Sequence, residues 1–245
     1  MTDNVSVASR TKESSAATLL EPLKKRQKTA HTAINISPRQ ELDIYVFGAG
    51  EFGELGLGAK PVDDRKPMNV RVPRRNHFLH NVVQIAVGGM HCVALTSKGQ
   101  ILTWGVNDHG ALGRETIWDA PVRDVDEASQ SEGSEDDVDL NPRESTPNEV
   151  GAGLENGKHT FVQVAATNSA SFSLTTTGLV FGWGTFSGND GPVGLLPEKA
   201  KLAASTRNDS IKLQRTPVLI PYLRNITDLA AGSNHMLALS QQGRV

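Results

Sequence analysis

Val83-Gln84-Ile85-Ala86-Val87-Gly88-Gly89-Met90-His91-Cys92-Val93-Ala94-Leu95-Thr96-Ser97-Lys98-Gly99-Gln100-Ile101-Leu102-Thr103-Trp104-Gly105 decides the fold, because this run returns twice along the chain. It reappears from Val162-Gln163-Val164-Ala165-Ala166 through Phe172-Ser173-Leu174 to Trp183-Gly184, and again from Ile226 through His235 to Gly243-Arg244-Val245. A unit of this length copied along a chain makes an array, whose function sits on faces and insertions. Within the unit, residues 82–87, 91–96 and 100–104 read as three strands, separated by Gly88-Gly89 and Ser97-Lys98-Gly99. Val93 and Leu95 point to one face of the middle strand, Cys92 and Ala94 to the other. Both faces are apolar, so both must be covered. Small sheets packed radially about a channel meet that requirement, which predicts an all-β propeller.

Outward from this run, Asp43-Ile44-Tyr45-Val46-Phe47-Gly48 matches Gln100-Ile101-Leu102-Thr103-Trp104-Gly105, and Gly53-Glu54-Leu55-Gly56 matches Gly110-Ala111-Leu112-Gly113. The first unit therefore starts at its third strand, and the last stops part way. About three units with two partial ends read as the amino-terminal portion of a longer, closed ring. Gly48 to Gly105 spans 57 positions but Gly105 to Gly184 spans 79, the excess falling in residues 114–158. That stretch holds the acidic residues 124–139, without a single Lys or Arg, and is expected to be a disordered surface insertion over about 115–158. A second excess, residues 195–213, is expected to be a surface loop. Residues 1–41 lack a sustained apolar period and are expected to be a disordered basic tail, with the repeats occupying 42–245.

The formal charge of −2 conceals this segregation of acid and base, and 38% apolar content is low for a fully folded chain. One cysteine, Cys92, excludes an intrachain disulfide and argues against a metal site. No apolar run approaches the roughly 18 residues of a membrane span. Gly48-Ala49-Gly50-Glu51-Phe52-Gly53 is a literal GxGxxG, but a dinucleotide cradle needs a helix to begin there, and Gly56, Gly58 and Pro61 oppose one. No cofactor is expected. His91 and His235 share one repeat slot and read as structural, with the imidazole bonding backbone near the channel; Trp104 and Trp183 share another and read as packing between blades. Neither a nucleophile elbow nor a catalytic residue set appears, so no covalent chemistry and no small-molecule substrate is expected. Lys24, Lys25, Arg26 and Lys28 form a compact cation cluster suited to an import receptor or to DNA.

Gly88-Gly89-Met90-His91, Trp104-Gly105-Val106-Asn107-Asp108-His109-Gly110-Ala111-Leu112-Gly113-Arg114 and Trp183-Gly184-Thr185-Phe186-Ser187-Gly188-Asn189-Asp190-Gly191-Pro192-Val193-Gly194-Leu195 resemble the RCC1 (regulator of chromosome condensation) repeat family over residues 42–245. The basic tail and the segment after Trp183 narrow the resemblance to its guanine nucleotide exchange factors for the GTPase Ran. The resemblance implies a seven-bladed propeller, of which about three blades are here, and a nuclear, chromatin-bound factor acting in nuclear transport and mitosis. Its implied partners are Ran, histones, DNA and an import receptor. It places a nucleotide-displacing wedge at residues 186–193, with Phe186, Asn189, Asp190, Gly191 and Val193 facing the GTPase. It adds Glu51, and also Asn168 and Asn234, where the family pattern has Asp; Ala170 replaces a histidine. The alternative is a repeat scaffold that binds partners without exchange.

Overall fold

A computed structural model describes residues 32–120, 139–154 and 157–245. Strand β1 (Tyr45–Gly48) pairs β2 (Val70–Arg75) in a two-stranded sheet, blade A. Blade B is a four-stranded antiparallel sheet in the order β3 (Val82–Val87), β4 (His91–Thr96), β5 (Ile101–Gly105), β6 (Asn148–Glu149). Blade C repeats it with β7 (Phe161–Ala166), β8 (Ala170–Thr175) and β9 (Val180–Gly184), closed by β12 (Gln214–Leu219). Two short strands, β10 (Ser187–Gly188) and β11 (Gly191–Pro192), form a separate hairpin before β12. Blade D consists of β13 (Ile226–Ala231) and β14 (Met236–Ser240). Blade A thus has the outer pair of strands and blade D the inner pair, as the partial first and last units predict.

Every residue of β4 and β8 is buried, because both faces of each middle strand are covered. One core joins Val83, Val93 and Leu95 of blade B to Phe161, Val164 and Trp183 of blade C. A second joins Val162, Phe172 and Leu174 of blade C to Ile226 and Leu229 of blade D. Trp104 and Trp183 are nearly inaccessible, and each indole reaches back one blade: Nε1 of Trp104 donates to Glu54 O at 2.9 Å, and that of Trp183 to Ala111 O at 2.7 Å. Gly56 and Gly113 sit over these rings at φ +64° and +66°, where an added Cβ would come within 2.7 and 2.8 Å of the indoles. Their spacing from the tryptophans is therefore set by contact as well as by backbone conformation.

Three expectations are corrected. The flanks of the acidic insertion are ordered: β6 pairs with β5, and Leu140, Val150 and Leu154 are buried. Thr116 knits the two flanks together, its Oγ1 donating to Glu144 Oε1 at 2.7 Å and its carbonyl accepting from Asn141 Nδ2 at 2.9 Å. Arg114 donates to Thr103 O and Arg143 O, and burial pushes its pKa down to about 10 against the opposing pull of Glu144. A short helix, α1 (Pro142–Ser145), capped by the Asn141 side chain, lies between these anchors. Residues 195–213 are not a loop throughout, since α2 (Pro197–Thr206) starts on a proline and ends at Arg207 in the left-handed region. The described end of the tail is docked as well. Ile34 and Asn35 both donate their backbone N–H to Thr176 O, and Asn35 Nδ2 bridges Thr175 O and Ile226 O at 3.0 and 2.9 Å.

Gly113→Ala and Gly99→Ala both place a side chain at positive φ, but open space surrounds Gly99. In urea denaturation Gly113→Ala is expected to cost about 1–3 kcal/mol more than Gly99→Ala, the overpacking penalty against Trp183.

Candidate functional site

Antiparallel alternation sends the ends of β1, β5 and β9 and the turns after β3, β7 and β13 to one rim of the array. His91 opposite Gly105 and Ala170 opposite Gly184 fix that placement. The hairpin turns at residues 97–99, 176–178 and 241–243 lie on the opposite rim. Glu51, Asn168, Asn234 and the whole of residues 186–193 therefore share the first rim. The turns of blades C and D are tied there, Asn168 N donating to Ser233 O at 2.8 Å.

The proposed wedge is the β10–β11 hairpin. Ser187 pairs with Pro192 and Gly188 with Gly191, which leaves Asn189 and Asp190 exposed at the tip. Gly191, at φ +103°, allows the reversal. Val193 N donates to Phe186 O at 2.7 Å and Gly194 N to Thr185 Oγ1 at 3.0 Å, closing the base. The Phe186 ring stacks on Phe172 with centroids 5.7 Å apart, and Ser187 Oγ donates to Ser169 Oγ at 3.3 Å. The hairpin is thus fastened to blade C while its tip projects.

Beside it opens an apolar cleft of ≈ 530 Å³, lined by Phe172, Phe186, Val193, Leu195 and Met236 and edged by Asn234. Sequence reading missed this cleft; its signal is the unbroken apolar run Met236-Leu237-Ala238-Leu239 of β14. The Ser187–Ser169 tether was also missed, and no sequence pattern announces it.

Under the rim, His91 is 2% exposed, and its Nε2 lies 2.9 Å from Ser171 Oγ. Ser171 gives its one hydroxyl proton to Ala111 O at 2.8 Å, so it accepts from His91, which must carry its proton on Nε2. The same Ala111 carbonyl receives the Trp183 indole. The imidazole therefore bonds a hydroxyl, not the backbone expected for it, because Ser171 of the next blade fills the space beside it. His235, in the equivalent slot, is exposed. Burial pushes the His91 pKa down to about 4 and the Cys92 thiol up to about 12, the latter aided by Glu54. The GxGxxG segment leads into turns, with Gly48, Gly50 and Gly53 all at positive φ and no helix beginning there. Among the described residues no group of three or more His, Cys, Asp or Glu is arranged to hold a metal. Lys24, Lys25, Arg26 and Lys28, and most of the acidic tract, lie outside the described residues.

Blades of antiparallel strands stacked face to face, with blades B and C each keyed to the one before by an indole, define a β-propeller repeat protein. The regulator of chromosome condensation (RCC1) repeat matches residues 43–95 and 177–239, and a second description of the same repeat matches residues 82–111. The chain belongs to the RCC1 repeat family. It is 38% identical over 226 residues to guanine nucleotide exchange factor SRM1 of Saccharomyces cerevisiae, covering 88% of this chain and 42% of that protein. It is 31% identical to the human regulator of chromosome condensation, covering 91% of this chain and 41% of that one. The crystal structure of Prp20p from S. cerevisiae, described with its binding to Gsp1p and histones, superposes with a TM-score of 0.62 at 35% identity, over 87% of this chain and 42% of Prp20p. The chain thus spans about two-fifths of the length of the relatives it matches.

The buried histidine gives stability a pH dependence. Unfolded, His91 takes up a proton near pH 6.5; folded, it does so only near pH 4. Its contribution is therefore intact above pH 6.5 and is lost as pH falls toward 4, amounting to about 3 kcal/mol. Urea denaturation across that window should show this loss, and His91→Gln should flatten the profile.

Proposed function

We propose that this chain carries part of the surface by which a nuclear guanine nucleotide exchange factor acts on the small GTPase Ran. The observation that carries the reading is the β10–β11 hairpin, anchored by Phe186 and projecting Asn189 and Asp190 from the rim that also holds Glu51, Asn168 and Asn234. Kinship with SRM1 and with Prp20p supports it.

Exchange makes no covalent bond. The factor binds the nucleotide-free GTPase more tightly than the loaded one, and by linkage weakens nucleotide binding by the same ratio. An illustrative ~10⁵-fold acceleration of release means lowering that barrier by about 7 kcal/mol. No single exposed acid supplies this. A pre-formed hairpin pressed into the phosphate-binding region does so by occupying space the nucleotide needs, and Asp190 at its tip repels phosphate while competing for Mg²⁺. Because the hairpin is closed at its base and stacked on the core, little ordering entropy is spent on insertion.

Release of labelled GDP from Ran is expected to accelerate on adding the chain, and Phe186→Ala or Asp190→Ala to reduce that acceleration at least tenfold. Unchanged rates would remove the hairpin from the mechanism. The Lys24, Lys25, Arg26 and Lys28 cluster is assigned to an import receptor and to DNA in chromatin. If all four cations meet phosphates, log K for DNA falls against log salt with a slope near −3.6, from ~0.9 per contact. Replacing all four by Ala should flatten the slope by that amount.

A further inference from the structure

Between blades B and C, whose four-stranded sheets are both complete, the loop rim opens a separate pocket of ≈ 300 Å³. Asp108, His109, Asn168 and Ser169 line its polar side, Met90 and Val106 its apolar side, and His91 its floor. We propose that this pocket receives one basic side chain, a Lys or an Arg, from the GTPase that the β10–β11 hairpin engages. The inference rests on the exchange reading and adds to it a contact that positions the partner.

Local structure fixes each wall. Residues 107–110 form a turn closed by Gly110 N donating to Asn107 O at 2.9 Å. The Asn107 carboxamide holds this turn to the chain that follows, its Nδ2 donating to Arg114 O and its Oδ1 accepting from Leu112 N, both at 3.0 Å. Asp108 and His109 are the two central residues of the turn, and both are exposed. Opposite them, Asn168 is tied by its N–H to Ser233 O. It also packs on Gly89, where an added Cβ would come within 3.2 Å of Asn168 Cα and Oδ1. The missing side chain at Gly89 lets the two rim turns approach until Asn168 borders the pocket.

Charge and hydrogen-bonding capacity select the ligand. The side chains of Asp108, His109 and Asn168 have no hydrogen bond or ion pair with any described residue. An ionised carboxylate only accepts, and a carboxamide oxygen adds a second acceptor. None of the lining residues is Lys or Arg, so the Asp108 charge is unmatched within the pocket. The floor contributes little, because His91 and the Ala111 carbonyl are already engaged with Ser171 and Trp183. An incoming ammonium or guanidinium would meet both free acceptors while Met90 and Val106 cover its aliphatic stem. The space is about ten times the ~30 Å³ share of one water, room enough for a side chain. Ser169, which lines the pocket, is also the residue that accepts from Ser187 at the hairpin. A partner gripped by the hairpin therefore lies over the pocket. A contact made alike to the loaded and the empty GTPase strengthens binding without raising the saturated rate.

In release of labelled GDP from Ran, Asp108→Asn is expected to raise the half-saturating concentration of the chain about tenfold, the loss of one charge-assisted hydrogen bond, and to leave the saturated rate unchanged. Asp64→Asn removes the same charge from the turn between Val62 and Arg65 and should alter neither quantity. An unmoved half-saturation for Asp108→Asn, a fall in its saturated rate, or an equal shift for Asp64→Asn would each overturn the proposal. A second measurement needs no GTPase. Amide resonances of Gly89, Asp108 and Asn168 should shift when Nα-acetyl-lysine amide or Nα-acetyl-arginine amide is added to the chain, and stay in place in the Asp108→Asn variant. Absence of a shift with both probes would overturn the pocket itself. If the unaltered chain does not accelerate release, the exchange reading fails, and the resonances still decide whether the pocket takes a basic side chain.

Discussion

The hydrogen bond from a buried indole to a carbonyl of the preceding blade, under a glycine that leaves no room for a side chain, is the contact on which the array depends. Trp104 with Glu54 and Gly56, and Trp183 with Ala111 and Gly113, repeat it twice. Removing a large aromatic from such a site forfeits about 3–5 kcal/mol. Its position matters as much as its energy. The tryptophan sits on the third strand and its acceptor in the rim loop one blade back, so the packing that covers each sheet also fixes the loops that would meet a partner. At blade C the same carbonyl carries the Ser171–His91 chain, so rim and core share one neutral, water-excluded network.

That coupling explains which parts of the fold were legible in the sequence. The run from Val83 to Gly105 showed its strands because each middle strand is apolar on both faces and glycines mark the turns. The importance of residues 186–193 came from the resemblance to the repeat family, and only the structure shows them as a hairpin turning at Asn189-Asp190. What escaped was held by contacts without a sequence period. Strand β6 is two polar residues whose role is backbone pairing, and Leu140, Val150 and Leu154 reach the core from an acid-rich stretch at irregular spacing. Asn35 bonds carbonyls 140 and 191 positions away, a relation no local pattern displays. Helix α2 has a proline start and several alanines, but only Ala203 is buried, so its amphipathic signal is faint.

The two sides of the array differ in chemistry. The loop rim carries exposed carboxamides and acids, Asn168, Asn189, Asn234, Glu51 and Asp190 among them, which suit recognition of a protein surface. Its hairpin is stiff where a partner would push, since Phe186 and Ser187 anchor it on the interior and on the neighbouring turn.

The strap at Ile34 and Asn35 lies on the side away from that hairpin and clasps two blades at once. A load applied to the residues before it would arrive as shear between blades C and D, resisted by carbonyls on both, and would not peel a single strand. The molecule can be moored from beneath without its upper deck being covered, so anchorage and partner capture need not compete for the same ground.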